Sequence, residues 1–211
     1  MSGKITYDET TGEIFLKDPP ESGNKHAIWY QADTPPTPSV TPSISVTPTP
    51  TPSAAASFDD WFLPSLDELD QLYQNIGSSE YGDIEIWSSS DYAGVNAFAY
   101  AIDFTDGSQS FTNLKSGSKA VVPVRSFTDS PGAYIVGDTG PAGGWIFYID
   151  GTTTYYEAYD GTYTNTNWGN VDTPVATGTA IGTGQSNTTA ILGTSGSWIG
   201  TAAWACDNYS T

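Results

Sequence analysis

Three carboxylates, Asp67, Glu68 and Asp70, cluster in the segment "LPSLDELDQLYQNIG" and are the first side chains that could do chemistry. Two carboxylates that act as a catalytic acid and base need different pKa values, which arise from burial or from a neighbouring charge. The sequence shows neither cause for these acids. Ser65 with Glu68 three residues later forms a capping box, and the helix dipole stabilises acids in a first turn. The pattern therefore favours a structural helix with N-terminal charges over an active site.

Nucleophilic and metal-assisted catalysis find little support in the sequence. The only histidine, His26, precedes a long Pro-rich segment, so a Ser-His-Asp triad has no base in the C-terminal part. Cys206 is the only cysteine, which excludes an intrachain disulfide and a cysteine-based metal site. Oxygen ligands for calcium occur in "DFTDG" (103–107) and "GNVD" (169–172), but turns explain both segments. We expect no enzyme, no cofactor and no metal, with a glycan-acting enzyme as the least favoured alternative.

Residues 86–104, "IWSSSDYAGVNAFAYAIDF", place an indole, hydroxyls and amides within a short loop region. Such a mixture suits the recognition of sugars or proteins, because aromatics stack while hydroxyls and amides form adaptable hydrogen bonds. The alternative is that the tryptophan is a core residue and the serines cap a turn. The candidate ligand-binding residues are Trp87, Ser89, Asp91, Tyr92 and Asn96.

The charge balance limits the partners. The 211 residues carry 24 acidic and 6 basic side chains, a formal charge of -18, and residues 34–211 hold 18 of the acids with only three bases. The electrostatic field of such a negatively charged protein repels nucleic acid and anionic membranes, so we expect neither as a partner. The sequence shows no membrane-spanning apolar run, and "MSGKITYDETTG" lacks the apolar segment of a signal peptide. These features favour assembly into a phage particle over secretion.

Composition divides the chain into three parts. Residues 1–33 contain a hairpin signal around "ETTG", and an isolated hairpin is marginal in water, which predicts an arm that docks on other virion proteins. Residues 34–57, "TPPTPSVTPSISVTPTPTPSAAAS", predict an extended polyproline-II linker with a reach on the order of 70 Å. Residues 58–211 predict an α+β head rich in β-hairpins with two or three short helices.

Within the head, local patterns predict individual elements. Besides the capped helix, "GDTGPAGG" resembles a phosphate cradle, but it lacks the Lys-Ser/Thr ending of a P-loop and fits a tight loop before a strand better. The other predicted elements are a hairpin in "AFAYAIDFTDGSQSFTN", one short strand in "AVVPVRSF", a hairpin in "GGWIFYIDGTTTYYEAYDG", and short helices in "SNTTAILG" and "GTAAWACDNYS".

Seven motifs, which cover nearly all of residues 58–211, occur together in the head. They are "DDWFLPSLDELDQLY", "IWSSSDY", "AIDFTDGS", "VPVRSF", "IVGDTGPAGGWIFY", "SNTTAI" and "AAWACDNY". Together they resemble the Lcl C-terminal domain family, which occurs on bacterial surface proteins and phage structural proteins. Its members are related in fold to C-type lectins and formylglycine-generating enzymes, so the resemblance implies a C-type-lectin-like head. The Thr/Pro linker is similar to those of cyanophage structural proteins.

The order of the motifs departs from that family. In the family, the half that contains "GDTGPAGG" comes first, and the half that contains "DDWFLPS" comes last. In this chain the "DDWFLPS" half comes first, at 58–127, and the "GDTGPAGG" half comes second, at 133–211. Circular permutation explains this order and predicts that Ser57 and Thr211 lie close together. Exchange of halves between subunits and excision from a tandem array remain alternatives.

Two further departures bear on function. Formylglycine-generating enzymes work through cysteines, and calcium-dependent lectins use Glu-Pro-Asn or Gln-Pro-Asp; this chain has one cysteine and neither motif. The resemblance therefore implies a fold without those activities. We expect a virion-surface phage structural protein whose stalked head serves surface decoration or adhesion to host glycans or envelope proteins. A capsid or tail decoration protein with no ligand is the alternative, and a homo-oligomer is compatible with both.

Overall fold

The computed structural model describes residues 57–169, 173–194 and 199–211. Within these ranges, only the backbone of residues 163–165 is described. Near the N-terminus, the model describes the backbone of two strands. The chain divides into two compact units, residues 1–51 and 52–211, and each is described by itself.

The described residues of the N-terminal unit form an antiparallel strand pair. β1 (Lys4–Asp8) pairs with β2 (Glu13–Lys17), and Ile5 lies opposite Leu16. The hairpin predicted around "ETTG" is confirmed by this pairing. The remainder of the predicted arm and the Thr/Pro linker, residues 18–56, fall outside the described residues.

The second unit is a mixed α+β domain. Its described helices are α1 (Leu66–Asn75), α2 (Ser78–Tyr81), α3 (Gly184–Gly193) and α4 (Ala202–Asp207). Its described strands are β3 (Glu85–Asp91), β4 (Phe98–Asp103), β5 (Ser108–Leu114), β6 (Lys119–Val121), β7 (Val124–Thr128), β8 (Trp145–Asp150), β9 (Thr154–Ala158) and β10 (Tyr163–Thr166). Three of the helices and both hairpins were predicted; α2, a single turn, is too short to show a helical period.

The strands form two sheets. The order in the larger sheet is β10-β6-β3-β4-β5, with β3 and β6 parallel and the other neighbours antiparallel; the smaller sheet has the order β7-β9-β8. β3 is therefore the central strand of the larger sheet, and β5 lies at its edge.

The position of β3 corrects the prediction of a loop at "IWSSSDY". Six of its seven residues are buried, and its hydroxyls find acceptors inside the protein. Ser88 donates to the carbonyl of Tyr100 at 3.0 Å and Ser90 to that of Gly178 at 2.9 Å. Because these bonds replace water, a serine-rich segment can lie at the centre of a sheet.

The segment "AVVPVRSF" was predicted as one strand and is two. β6 belongs to the larger sheet and β7 to the smaller one, and the chain crosses between them at Val122 and Pro123. Proline has no N–H for a ladder, so the break falls where pairing cannot continue. The carbonyl of Pro123 accepts a hydrogen bond from the backbone of Tyr159 at 2.9 Å.

Both faces of the larger sheet are covered. Ile86 and Trp87, neighbours in β3, belong to different hydrophobic clusters, because successive side chains of a strand point to opposite faces. The first cluster packs under α1 and includes residues of both sheets; the second contains residues of α3 and α4. The sheet is thus the middle layer of the head, which explains why β3 is buried on both sides.

Helix α1 begins as predicted. The Ser65 hydroxyl accepts from the backbone of Glu68 at 3.3 Å, and the Glu68 carboxylate accepts from the backbone of Ser65 at 2.8 Å, which completes the capping box. Leu69 and Leu72 are fully buried on the inward face. Gly77, with a φ of 72°, follows the C-cap as expected of a C′ glycine.

The two ends of the head lie side by side within one chain. The backbone N–H of Thr211 donates to the carbonyl of Phe58 at 3.4 Å. The rings of Trp61 and Tyr209 meet edge to face at a centroid distance of 5.0 Å. This is the neighbour relationship that the reordered motifs predict for Ser57 and Thr211.

Candidate functional site

The five predicted ligand-binding residues fall into a buried group and a surface group. Trp87, Ser89 and Asp91 are buried. The indole of Trp87 donates to the carbonyl of Thr166 at 3.1 Å, and the hydroxyl of Ser89 accepts from Asn187 at 3.0 Å. These side chains have no exposed surface for a ligand. The position of Trp87 matches the alternative interpretation, that it is a core residue.

Asp91 forms an ion pair inside the head. Its Oδ1 lies 2.7 Å from Nζ of Lys115 without the alignment of a hydrogen bond, and its Oδ2 accepts from the backbone of Val175 at 2.7 Å. Lys115 also donates to the carbonyl of Thr173 at 3.2 Å and lies 4.6 Å from the ring centroid of Trp168. Each charge is therefore compensated by the other, and the pair ties the end of β3 to the segment around residue 174.

Tyr92 and Asn96 lie at the surface, where further aromatic residues join them. Tyr92 is partly exposed and stacks on Phe111 of β5 at 4.8 Å with an interplanar angle of 26°. Tyr100 of β4 contacts Tyr92 edge-on at 5.8 Å. We define the aromatic patch as these three rings with three exposed neighbours in the adjoining turn and strand. The neighbours are Val95, Asn96 and Leu114.

The aromatic patch is apolar at its centre and polar around it. Phe111 is 46% exposed and Leu114 is 52% exposed. The strand that carries them, "SQSFTNL", contains no charged residue and forms the edge of the larger sheet. Thr112 is exposed between them, and its hydroxyl lies 3.4 Å from that of Ser110. This combination of rings, hydroxyls and amides is what the sequence predicts for a recognition site, although three of the predicted residues do not contribute to it.

Phe111 and Tyr100 join the candidate site without having been predicted from the sequence. A signal was available, because the Asp-Gly turn at 106–107 predicts that β4 and β5 pair as a hairpin. Such pairing brings the returning strand of the hairpin beside β4, where the ring of Phe111 lies 6.3 Å from that of Tyr100. The proximity of Tyr92 depends on the turn at 92–98, which the sequence does not specify.

The backbone of the loop "GDTGPAGG" binds a carboxylate side chain of the same chain, that of Glu157. The backbone N–H groups of Ala142 and Gly144 donate to Oε1 of Glu157 at 3.0 and 2.9 Å. Glu157 is fully buried in β9. A Cβ at Gly144 would lie 2.1 Å from the carbonyl oxygen of Ala158, so only glycine allows this approach. The predicted tight loop is confirmed.

Arg125 joins this carboxylate to the start of the head. Its Nη1 donates to Oε2 of Glu157 at 3.1 Å, while Nε and Nη2 donate to the two oxygens of Asp60 at 2.7 and 2.9 Å. The guanidinium also lies 4.3 Å from the ring centroid of Phe58. Burial alone would lower the pKa of Arg125, but hydrogen bonds and charge from Asp60 and Glu157 raise it. The network is structural and fixes the N-terminal end of the head to both β7 and β9.

The buried acid of α1 accepts hydrogen bonds from the backbone on two sides. Glu68 is buried, and its Oε1 accepts from the backbone of Gly182 at 2.8 Å as well as from Gly184 at 3.4 Å. Desolvation raises the pKa of Glu68, although hydrogen bonds from these amides and from Ser65 act in the opposite direction. Glu68 thus caps α1 and also holds the loop before α3, which the sequence did not reveal.

The "DFTDG" segment uses its acids in the turn itself. Oδ1 of Asp103 accepts from the backbone of Thr105 at 2.8 Å, and Oδ1 of Asp106 accepts from that of Ser108 at 2.9 Å. Among the described residues, no group of three or more His, Cys, Asp or Glu side chains is placed to hold a metal ion. Of the "GNVD" segment, residues 170–172 lie outside that part of the chain.

The three bases of the head all fall within the described residues, and each forms an ion pair. Lys115 pairs with Asp91, Lys119 with Glu85, and Arg125 with two acids. The acids of the head outnumber these bases by 18 to three, so most carboxylates have no basic partner. The surface that a ligand meets is therefore negative, apart from uncharged regions such as the aromatic patch.

Comparison with known proteins adds no relative. No family model, no curated protein and no solved structure matches the chain. In the part of the chain that the structure describes, no helix is long and apolar enough to span a membrane.

Proposed function

We propose that this protein is a phage virion structural protein that displays residues 58–211 as a binding head for adhesion to the host surface. Residues 34–57 serve as the stalk and residues 1–33 as the docking arm. The observation that carries the adhesive role is the aromatic patch, where Phe111 and Leu114 are about half exposed on an uncharged sheet edge. Exposed apolar groups that cluster beside polar groups are characteristic of interaction sites.

The head is proposed to be C-type-lectin-like and circularly permuted. The contact between Thr211 and Phe58 supports permutation, since the family order requires these ends to be joined. Subunit exchange would instead bring Thr211 against the head of a second chain. The resemblance of the seven motifs is what suggests a phage or bacterial surface context.

Host adsorption tests the proposed function. We expect purified full-length protein to bind host cells and to compete with virions for adsorption. Phe111→Ala should reduce binding, whereas Ile135→Ala, which removes a 68% exposed side chain outside the aromatic patch, should not. Failure of the folded full-length protein to bind cells would contradict adhesion.

Deletion of residues 1–33 tests the docking arm. We expect virions that carry the shortened chain to lose the protein, as measured by mass spectrometry of purified particles. Full occupancy without these residues would show that docking uses another part of the chain.

A pure decoration role remains the second candidate. It is favoured by the burial of Trp87, Ser89 and Asp91, which leaves only part of the expected recognition set at the surface. This role predicts that adsorption is unchanged by Phe111→Ala while occupancy on the particle is retained.

A further inference from the structure

The aromatic patch is electrically neutral. Its six residues are all described, and none of them is charged. The nearest acid in sequence, Asp91, is buried and paired with Lys115. A ligand at the patch therefore meets rings, hydroxyls and amides, while the head around it repels anions.

The ring geometry of the patch is built into the fold. Gly94 lies against Tyr92, and a Cβ at this glycine would come within 2.7 Å of Cε1 of the ring. Tyr92 in turn stacks on Phe111, whose side chain remains 46% exposed. The Tyr92 ring is thus held between the turn at Gly94 and Phe111, which limits the conformational entropy lost when a ligand binds.

Uncharged hydrogen-bonding residues are close in sequence to the rings of this aromatic surface. Asn96 is exposed in the turn that follows Tyr92, and Thr112 is exposed next to Phe111 on the edge strand. An amide and a hydroxyl can each donate and accept, as can the hydroxyls of a sugar. Neither group provides the charge-assisted bonds with which arginine and lysine bind carboxylates and phosphates.

We infer that the aromatic patch binds an uncharged saccharide, such as the neutral hexose or N-acetylhexosamine units of a surface glycan. This inference rests on the proposed adhesive function and names its ligand class. The C–H face of a pyranose ring packs on the electron-rich face of an aromatic ring, and its hydroxyls reach the flanking polar groups. Sugars bearing sialic acid, uronic acid, phosphate or sulfate find no basic partner, because the three bases of the head are paired with acids.

Substitutions of one residue separate stacking from simple apolar contact. Phe111→Leu retains apolar area but removes the ring, whereas Phe111→Trp retains a ring. A saccharide that stacks should bind the leucine variant about tenfold less tightly or worse and the tryptophan variant with little loss. A protein partner or a second copy of this chain, held by apolar packing at the sheet edge, should tolerate leucine.

The test uses labelled full-length protein on an array that carries neutral and anionic oligosaccharides, with Ile135→Ala as the matched control for an exposed apolar residue. Binding to neutral oligosaccharides, lost at least tenfold in Phe111→Leu and retained in Ile135→Ala and Phe111→Trp, supports the inference. Affinity should also change by less than about twofold between low and high salt, because no ion pair is screened.

Several outcomes would overturn it. They are binding confined to anionic glycans, full binding by Phe111→Leu, absence of binding to any glycan, and a Phe111-dependent dimer in light scattering. A parallel assay on host cells distinguishes the two levels of the proposal. If the protein binds cells but no glycan, only the inference that the ligand is a saccharide is overturned. If it binds neither cells nor glycans, the proposed adhesive function is overturned as well.

Discussion

At the scale of single residues, the guanidinium of Arg125 is shared by two carboxylates in different surroundings. The Glu157 side chain is fully buried and also accepts two amide hydrogen bonds, while that of Asp60 is 43% exposed. Removal of either acid leaves the guanidinium paired with the other, but the donors that Glu157 satisfies are buried, whereas solvent reaches the carboxylate of Asp60. The two acids should therefore contribute unequally to stability.

We predict that Glu157→Ala lowers the free energy of unfolding by about 3–5 kcal/mol, since it leaves Nη1 of Arg125 and the amides of Ala142 and Gly144 buried without a hydrogen-bond partner. Asp60→Ala should cost about 1–2 kcal/mol, because water can replace its partly exposed carboxylate at Nε and Nη2 of Arg125. Urea denaturation followed by tryptophan fluorescence measures both. An equal decrease in the free energy of unfolding for the two variants would contradict the expectation that the buried acid contributes more to stability than the exposed one.

The buried carboxylate of Glu68 predicts a pH dependence. Its pKa is raised by desolvation, so between the ordinary value of 4.5 and the raised value the folded state binds a proton that the unfolded state does not. Stability linked to this group therefore increases as the pH falls through that interval. The unfolding free energy of the wild type, relative to Glu68→Gln, should rise from pH 7 towards pH 4.5. A relative stability that falls on acidification would mean that the amide hydrogen bonds lower the pKa instead.

Cys206 should be inert in the folded protein. The thiol is fully buried in the second hydrophobic cluster, and desolvation raises its pKa well above the ordinary value, with a further contribution from Asp207. Since the thiolate is the reactive form, alkylation should occur only on unfolding. Iodoacetamide is added to the protein in native buffer, and alkylation is measured by intact-protein mass spectrometry. Rapid modification would contradict this prediction.

At the scale of elements, the glycine loop before β8 packs against β9 without room for a side chain. A Cβ at Gly144 meets the backbone of Ala158 at 2.1 Å, whereas one at Gly193, the last residue of α3, meets nothing within 4 Å. We predict that Gly144→Ala destabilises the head by about 2 kcal/mol or more, while Gly193→Ala changes stability by less than about 1 kcal/mol. Thermal denaturation compares the two, and similar melting temperatures would contradict the close packing of this loop.

Elements with strong local signals were predictable, and those determined by tertiary contacts were not. The capping box of α1 and the Asp-Gly hairpin of β4 and β5 are visible in the sequence, because the residues that specify them are neighbours. The sequence predicts a loop at β3, since the hydroxyl of Ser90 gains its acceptor from Gly178, 88 positions along the chain. The same reason limits the site: Tyr92 and Asn96 were identified, but burial of Trp87 depends on helices that follow a hundred residues later.

At the scale of the whole molecule, the adjacent ends of the head predict that the chain tolerates reordering. We propose a full-length variant in which residues 1–56 are followed by 132–211 and then by 57–131. The new junction joins Thr211 to Ser57, beside the existing contact with Phe58, and the opened segment at 131–132 is exposed. We expect a cooperatively folded protein with a melting temperature within about 10 °C of the wild type. An unfolded product by circular dichroism would contradict a permuted head.

The proposed function requires the head to be displayed on the outside of a virion. Immunoelectron microscopy of intact, purified particles with antibodies against residues 58–211 tests it most directly. We expect labelling of intact particles at sites that project beyond the particle surface, and loss of labelling when residues 1–33 are deleted. Labelling confined to disrupted particles, or absence of the chain from purified particles, would contradict it.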